Sequence, residues 1–193
     1  VIASRDPNPQ VAGRGIERLK NAGVEVIENV LKEEAEFLNR RFYTYHQKNR
    51  PYIILKWAQT EDGFIAPFKK ETKQPFWISN ELVKQKVHQW RSQETSILVG
   101  VQTVVDDNPV LSTREWTGKN PLRLILDPSN RITKNATVLT DELPAVLLNH
   151  HKPNSISRTQ KEHFSLNPFK LEKLMEFSYQ RKLVSLFVEG GQK

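Results

Sequence analysis

Side chains suited to binding a phosphorylated sugar are concentrated between residues 91 and 114 of this sequence. Arg91 ends a predicted helix, and Thr103, Asp107 and Arg114 follow in a polar segment over residues 102–114. A hydroxyl, a carboxylate and a guanidinium are groups that bind ribose hydroxyls and phosphates, and a guanidinium does so in bidentate geometry. On composition alone, a solvated surface loop explains the same residues equally well.

The elements around this segment predict where its side chains lie. Residues 79–94 are predicted to form a helix, with Ser79 as the N-cap and apolar residues recurring at helical spacing. The apolar run 97–99, closed by Gly100, predicts a strand that is buried on both faces. Residues 102–114 would then form a loop at the carboxyl end of that strand, where α/β proteins bind ligands.

Strands and helices are predicted to alternate along the rest of the chain, which is typical of an α/β sheet with parallel pairs. Beyond the strand just described, the predicted strands are residues 1–4, 24–27, 52–58, 122–127, 145–148 and 184–189. The other predicted helices are residues 13–22, 31–45 and 170–182. The polar stretch 150–160 predicts a mobile loop.

Composition narrows the class of protein. The chain has 193 residues, a net charge of +7 and no cysteine, so a disulfide framework is excluded and a cytoplasmic protein is the default expectation. The sequence contains no apolar run of about 20 residues, so it predicts no membrane span. The positive charge is spread along the chain without a nucleic-acid motif, so we expect no nucleic-acid partner; an anionic substrate and cofactor explain the charge equally well.

Several residues outside the polar segment could also do chemistry. Lys56 falls in an apolar predicted strand and would need an anion, a carbonyl or water, so a functional and a structural role are equally compatible with it. Asp106 and Asp107 are neighbours that would point opposite ways in an extended chain, which makes them a poor acid/base pair. Glu189 ends a strand, and the following Gly190 and Gly191 would let backbone amides approach a phosphate.

Three motifs in order resemble the reductase domain of the bifunctional riboflavin-biosynthesis deaminase/reductase family. They are PYIILKWAQTEDGFIAP from residue 51, WISNELVKQKVHQWRSQETSILVGVQTVVDDNPVLSTR from residue 77, and LFVEGGQK from residue 186. Residues 5–42, which begin RDPNPQVAGRG, resemble the tail of the zinc deaminase domain of the same family. The resemblance therefore reaches the first 45 or so residues as well as the segments after residue 50.

The resemblance implies an α/β fold in which a dihydrofolate-reductase-like reductase domain is preceded by the C-terminal part of a cytidine-deaminase-like α/β domain. We expect the deaminase remnant over residues 1–46, a linker over 47–50, and the reductase domain over 51–193, incomplete at its C-terminus. The family's zinc motif needs cysteines and a His-x-Glu pair, which this chain lacks. Zinc is therefore expected only in a missing deaminase part, and no metal site is expected here.

The resemblance also implies NADPH as cofactor and a phosphoribosylated pyrimidine as substrate. Lys56 is the candidate catalytic residue, and Pro128 takes the place of a family serine, which leaves open whether Ser129 serves the cofactor. The cofactor contacts implied are Ala58, Trp77, Thr103, Asp107, Ser129, Gly190 and Gly191. The substrate contacts implied are Arg91, Leu111, Arg114 and Glu189, with the two arginines on the sugar phosphate.

Two alternatives stay open at this point. The chain could be another NADPH reductase of the same fold, or a basic module without catalytic activity. Loss of the phosphate-binding arginines would favour another reductase, yet both Arg91 and Arg114 are present. The sequence leaves a homo-oligomer possible and predicts no membrane partner.

Overall fold

The computed structural model describes residues 1–65, 78–151, 161–166 and 168–190. In this part of the chain, six strands form one sheet in the order β1-β6-β2-β3-β4-β5. The strands are β1 (Tyr52–Lys56), β2 (Ser96–Gly100), β3 (Leu122–Leu126), β4 (Ala145–Asn149), β5 (Lys161–Ser165) and β6 (Ser185–Glu189). The helices are α1 (Arg14–Asn21), α2 (Lys32–Leu38), α3 (Arg40–Lys48), α4 (Glu81–Gln93), α5 (Val101–Asp107), α6 (Thr137–Thr140) and α7 (Leu171–Gln180).

Parallel pairing brings one end of several strands to the same edge of the sheet. β2 pairs in parallel with both β3 and β6, and β4 pairs in parallel with β3 and β5. The predicted α/β fold with parallel pairs is confirmed. Because the strands run the same way, the carboxyl ends of β2, β3, β4 and β6 share one edge, and the helix α5 starts directly after β2 at that edge.

The central strands form the core, as their sequences predicted. Ile97 on β2, Leu124 and Ile125 on β3, and Leu147 on β4 are fully buried. β1 differs, because it lies at the end of the sheet order and exposes Leu55 to 64%. The expectation that Lys56 lies in an otherwise buried strand was wrong, because Ile53 and Leu55 on the same strand are exposed.

Several local predictions need correction. Asn80, and not Ser79, caps α4, with its side chain accepting from the Val83 amide at 3.0 Å. Serine and asparagine are comparable N-caps, so composition could not choose between neighbours. Residues 102–107, predicted as the start of a loop, belong to α5 (Val101–Asp107), in which Val101 and Val104 are buried at helical spacing. The helix α6 and the strand β5 were not predicted.

The chain divides into two compact units. One unit comprises Val1–Tyr52 with Met175–Val184, and the other comprises Ile53–Leu174 with Ser185–Lys193. In the first unit, the predicted strands 1–4 and 24–27 are reduced to one parallel bridge between Ile2 and Glu28.

The helix predicted over residues 31–45 in this unit is two helices, α2 and α3, which meet at Asn39. The second of these helices extends to Lys48, into the residues predicted as a linker. The domain boundary itself stays a prediction.

No helix in the described ranges is long and apolar enough to cross a membrane.

Candidate functional site

An ion pair between Glu189 and Arg91 occupies the carboxyl edge of the sheet. Glu189 is the last residue of β6, and Arg91 lies in the last turn of α4. The Arg91 Nε and Nη2 donate to the two carboxylate oxygens of Glu189, each at 2.7 Å. Both side chains are 11% exposed. The two residues that the sequence assigned to a substrate therefore form a bidentate pair with each other.

The same arginine also holds the loop that follows α5. Arg91 Nη1 donates to the Ser112 carbonyl oxygen at 3.1 Å, and His88 Nδ1 lies 2.8 Å from the same oxygen. A carbonyl only accepts, so Nδ1 of His88 carries the proton. Sequence reasoning missed His88, although it precedes Arg91 by three residues on a predicted helix and so shares its face.

Glu115 links further side chains to the Arg91–Glu189 pair and His88. Its Oε1 lies 3.2 Å from Lys84 Nζ and 3.7 Å from both Arg114 Nε and His88 Nε2. Burial would raise the pKa of Glu115, but the hydrogen bond from Lys84 and the nearby positive charges outweigh it and lower that pKa. We call this group the outer cluster; its members are Lys84, His88, Arg91, Arg114, Glu115 and Glu189.

The positive charges of Arg91 and Arg114 both act on the pKa of His88. Burial lowers its pKa most, and the charges of Arg91 and Arg114 lower it further. The ring is therefore held neutral at pH 7, with its proton on Nδ1. The structure thus brings Arg91 and Arg114, which come from different segments, to the same histidine. Arg114 is the more accessible of the two, with 47% of its side chain exposed.

The helix α5 separates two adjacent carboxylates. Asp106 accepts from the Gln102 side-chain amide at 2.8 Å, whereas Asp107 lies four residues after Thr103 and so shares its face of the helix. The expectation that only one aspartate faces the site is compatible with this geometry, but the reason given for it was wrong. The two side chains diverge because they are on a helix, and not because the chain is extended.

A short turn after β3 is tied to α5. Asp127 is fully buried, and its two carboxylate oxygens accept from the amides of Arg131 and Ile132 at 2.8 and 2.9 Å. Ser129 lies exposed in this turn. Arg131 Nη2 donates to the Gln102 side chain at 2.6 Å, which links the turn to the helix that carries Thr103.

One buried polar atom at this edge has no donor. Asn149, the last residue of β4, is fully buried and donates through Nδ2 to the Asp127 carbonyl at 2.9 Å. Its Oδ1 has no hydrogen-bond partner within the described ranges. A buried acceptor without a partner costs about 1–3 kcal/mol.

The remaining candidates lie elsewhere or are not described. Lys56 ends β1 and is half-buried, and Ala58 follows it just beyond the strand. Leu111 has a left-handed backbone and a side chain in the core, so its main chain is the part available to a ligand. Gly190 is exposed directly after β6. Trp77 and Gly191 lie outside the described residues.

Comparison with known proteins identifies the family. The model of the RibD C-terminal domain matches residues 51–193. The chain belongs to this family.

Relatives in the family match between two thirds and the whole of this chain. The riboflavin biosynthesis protein RibD of Aquifex aeolicus is 38% identical over 198 residues, covering 100% of this chain and 55% of the relative. The RibD of Actinobacillus pleuropneumoniae is 48% identical over 130 residues, covering 67% of this chain and 34% of the relative. The chain therefore spans about half the length of the Aquifex relative.

A solved structure shows that the fold is shared. The deaminase and 5-amino-6-(5-phosphoribosylamino)uracil reductase of Thermotoga maritima superposes with a TM-score of 0.86 at 37% identity, covering 99% of this chain and 53% of that one. The Acinetobacter baumannii RibD gives a TM-score of 0.85 at 27% identity, with 99% and 54% coverage. The expected resemblance to the deaminase/reductase family is confirmed.

Proposed function

We propose that this chain is the reductase part of a bifunctional riboflavin-biosynthesis enzyme. Its reaction is reduction of the ribosyl group of 5-amino-6-(5-phosphoribosylamino)uracil to ribityl by NADPH. The observation that carries the proposal is the outer cluster, in which Arg91 pairs with Glu189 at the carboxyl edge of the sheet, while Arg114 and His88 both lie 3.7 Å from Glu115. The similarity to the Thermotoga protein, whose name includes that substrate, supports it.

The outer cluster gives the two arginines different tasks. The side chain of Arg114 is about half exposed, and its Nε lies 3.7 Å from the Glu115 carboxylate. Its guanidinium is therefore available to bind a phosphate that enters from solvent. Arg91 uses three N–H groups on Glu189 and Ser112, and a guanidinium has five. We assign Arg114 to the phosphate and the Arg91–Glu189 pair to the ribosyl group and the near side of that phosphate.

We propose that NADPH binds along α5 and the turn after β3, at the carboxyl edge of the sheet. Thr103 and Asp107 share a face of α5, and Ser129 lies in the turn that Arg131 ties to this helix. Ala58, Trp77, Gly190 and Gly191 complete the proposed cofactor contacts. NADPH supplies the hydride for the sugar C1′, and the protein's contribution is to position that carbon against the nicotinamide and exclude water.

We propose Lys56, the candidate catalytic residue, or a water as the proton donor. It ends β1, whose neighbour in the sheet is β6, the strand that ends at Glu189. A full-length Lys56→Ala enzyme should lose turnover while NADPH affinity stays unchanged. Wild-type turnover in that variant would remove Lys56 from the mechanism.

Residues 1–46 complete the proposal as the C-terminal part of the deaminase domain. The relative from Aquifex aligns with the whole chain, including this part. The zinc centre of the deaminase would be supplied by residues outside this chain. We also propose a cytoplasmic enzyme with no nucleic-acid partner, and a homo-oligomer is compatible with the proposal.

The experiment that tests the function compares phosphorylated and dephosphorylated substrate. In the full-length enzyme, NADPH oxidation should be followed with each substrate for the wild type, Arg114→Ala and the matched control Arg114→Lys. We expect loss of the phosphate to raise the wild-type KM by at least about tenfold, the equivalent of one charge-assisted contact. Arg114→Ala should remove most of that difference, because only the Arg91 contact to the phosphate is left, and Arg114→Lys should keep more of it.

Two results would contradict the proposal. A wild-type KM that ignores the phosphate would favour another reductase of the same fold. Absence of NADPH oxidation, together with RNA binding that falls steeply with salt, would favour a basic binding module.

A further inference from the structure

The loop that carries Arg114 contains a residue in an unfavourable backbone conformation. Leu111 has a φ of 59°, in the left-handed region that residues with a side chain rarely adopt. Its side chain is 2% exposed, so packing fixes it within the core. A strained residue persists only where its surroundings hold it, and such residues concentrate at ligand-binding segments.

The backbone on the amino-terminal side of Leu111 is held by a fully buried arginine. Arg123 on β3 is 1% exposed, and its Nη1 donates to the Val110 carbonyl at 3.0 Å. Its guanidinium is fixed by a bidentate pair with Asp141 at 2.6 and 2.7 Å. The Val110 carbonyl therefore accepts from a donor whose position is fixed.

The backbone on the other side of Leu111 is held by His88. The Ser112 carbonyl accepts from His88 Nδ1 at 2.8 Å and from Arg91 Nη1 at 3.1 Å. His88 is 2% exposed and reaches this oxygen from α4 across 24 residues of sequence. The next residue, Thr113, donates its amide to the Asn120 side chain at 2.8 Å, so the chain is fixed up to the position before Arg114.

We propose that His88 is a positioning residue for the substrate. It holds the Ser112 carbonyl, keeps Leu111 in its left-handed conformation, and so sets where Arg114 presents its guanidinium and where the Leu111 backbone lies. This inference rests on the proposed function, because it assigns His88 a part in the same reaction. His88 affects the substrate only by holding this loop in place, and it does not take part in the hydride transfer.

A matched pair of variants isolates the Nδ1 bond. Asparagine places an N–H donor where Nδ1 lies, whereas glutamine places its donor where Nε2 lies. In the full-length enzyme, His88→Asn should keep the KM for the phosphoribosyl substrate within about threefold of the wild type. His88→Gln should raise that KM between about ten- and a hundredfold, because a loop displaced by an ångström misplaces the phosphate contact. The KM for NADPH should stay unchanged in both.

Hydrogen exchange provides a readout that does not depend on turnover. The amides of Leu111, Ser112 and Thr113 should exchange at least about tenfold faster in His88→Gln than in His88→Asn, without any ligand. Equal exchange in the two variants, or equal substrate KM at equal thermal midpoints, would overturn the proposal and leave His88 as a core residue. If the wild type lacks reductase activity, the proposed function fails, while the exchange rates still decide whether His88 holds the loop.

Discussion

Two ionic clusters lie on either side of the loop that carries Arg114, and they use charge differently. The inner cluster consists of Arg123, Asp141 and Lys161, and both of its cations have side chains only 1% exposed. In the outer cluster, Arg114 is 47% exposed and its Nε lies 3.7 Å from Glu115. The inner cluster is closed to ligands, whereas the outer cluster keeps a cation at the surface.

The inner cluster neutralises its cations with carbonyl oxygens as well as with a carboxylate. Arg123 donates to the carbonyls of Val110, Pro144 and Leu143, and Lys161 donates to the Leu143 carbonyl. Buried charges are tolerated only when they are paired and hydrogen-bonded in this way. The buried Arg123 therefore supports the structure, while the partly exposed Arg114 is the arginine that we propose to bind the phosphate.

The largest expected effect comes from breaking the inner cluster. Asp141→Asn would leave Arg123 and Lys161 buried without this carboxylate, which we expect to destabilise the domain by about 3–5 kcal/mol. Thermal unfolding of the full-length protein measures it, with the exposed neighbour Glu142→Gln as the control. A double variant, Asp141→Asn with Lys161→Met, should recover part of the loss. A midpoint unchanged by Asp141→Asn would contradict the structural role of this cluster.

Acid should act on the same carboxylate. Burial would raise the pKa of Asp141, but the hydrogen bonds from Arg123 and Lys161 outweigh it and hold that pKa below its usual value of 3.8. A carboxylate with a lower pKa in the folded state stabilises the protein above pH 3.8, and this contribution is lost as the pH falls below that value. The destabilisation by Asp141→Asn should therefore shrink between pH 5 and pH 2. A difference in stability between the wild type and Asp141→Asn that stays constant over this pH range would contradict the lowered pKa of Asp141.

A smaller effect on stability is expected from the outer cluster. Glu189→Gln replaces the bidentate pair with Arg91 by a neutral contact, and Arg91 keeps its bond to Ser112. We expect a loss of about 1–3 kcal/mol in unfolding free energy, less than for Asp141→Asn. The fall in turnover with the phosphoribosyl substrate, expressed as a free energy, should be much larger than the loss of unfolding free energy. Equal losses in both would indicate that Glu189 is structural in the same sense as Asp141.

The sequence predicted the sheet better than it predicted the loops. The strands β2, β3, β4 and β6 were predicted within about one residue, because their apolar runs are buried in a parallel sheet. α5 was missed because Asp106, Asp107 and Pro109 resemble loop residues, and the two buried valines were too few to show a period. The α6 helix has only four residues and leaves no periodic signal.

For the candidate site, the sequence could name the residues but not their partners. Arg91, Arg114 and Glu189 were named by resemblance, yet their spacing along the chain says nothing about the 2.7 Å pair between α4 and β6. His88 was missed since a single histidine on a helix carries no motif. Gly118 is another such case: a Cβ there would lie 2.6 Å from the Ser92 Cβ, a close approach that only the folded chain reveals.

The smallest expected effect tests whether the outer cluster works through its charge. Glu115→Gln removes a carboxylate that faces Lys84, His88 and Arg114, and surface ion pairs of this kind contribute little, so the thermal midpoint should change by only about 2 °C. At low salt the phosphoribosyl substrate should bind about twofold more tightly, because Arg114 loses its neighbouring negative charge. At 1 M salt, where the Debye length is about 3 Å, that gain should vanish. A tenfold weaker affinity at both salt concentrations would show instead that Glu115 orders Arg114, and the exposed guanidinium would then depend on its carboxylate as Arg123 depends on Asp141.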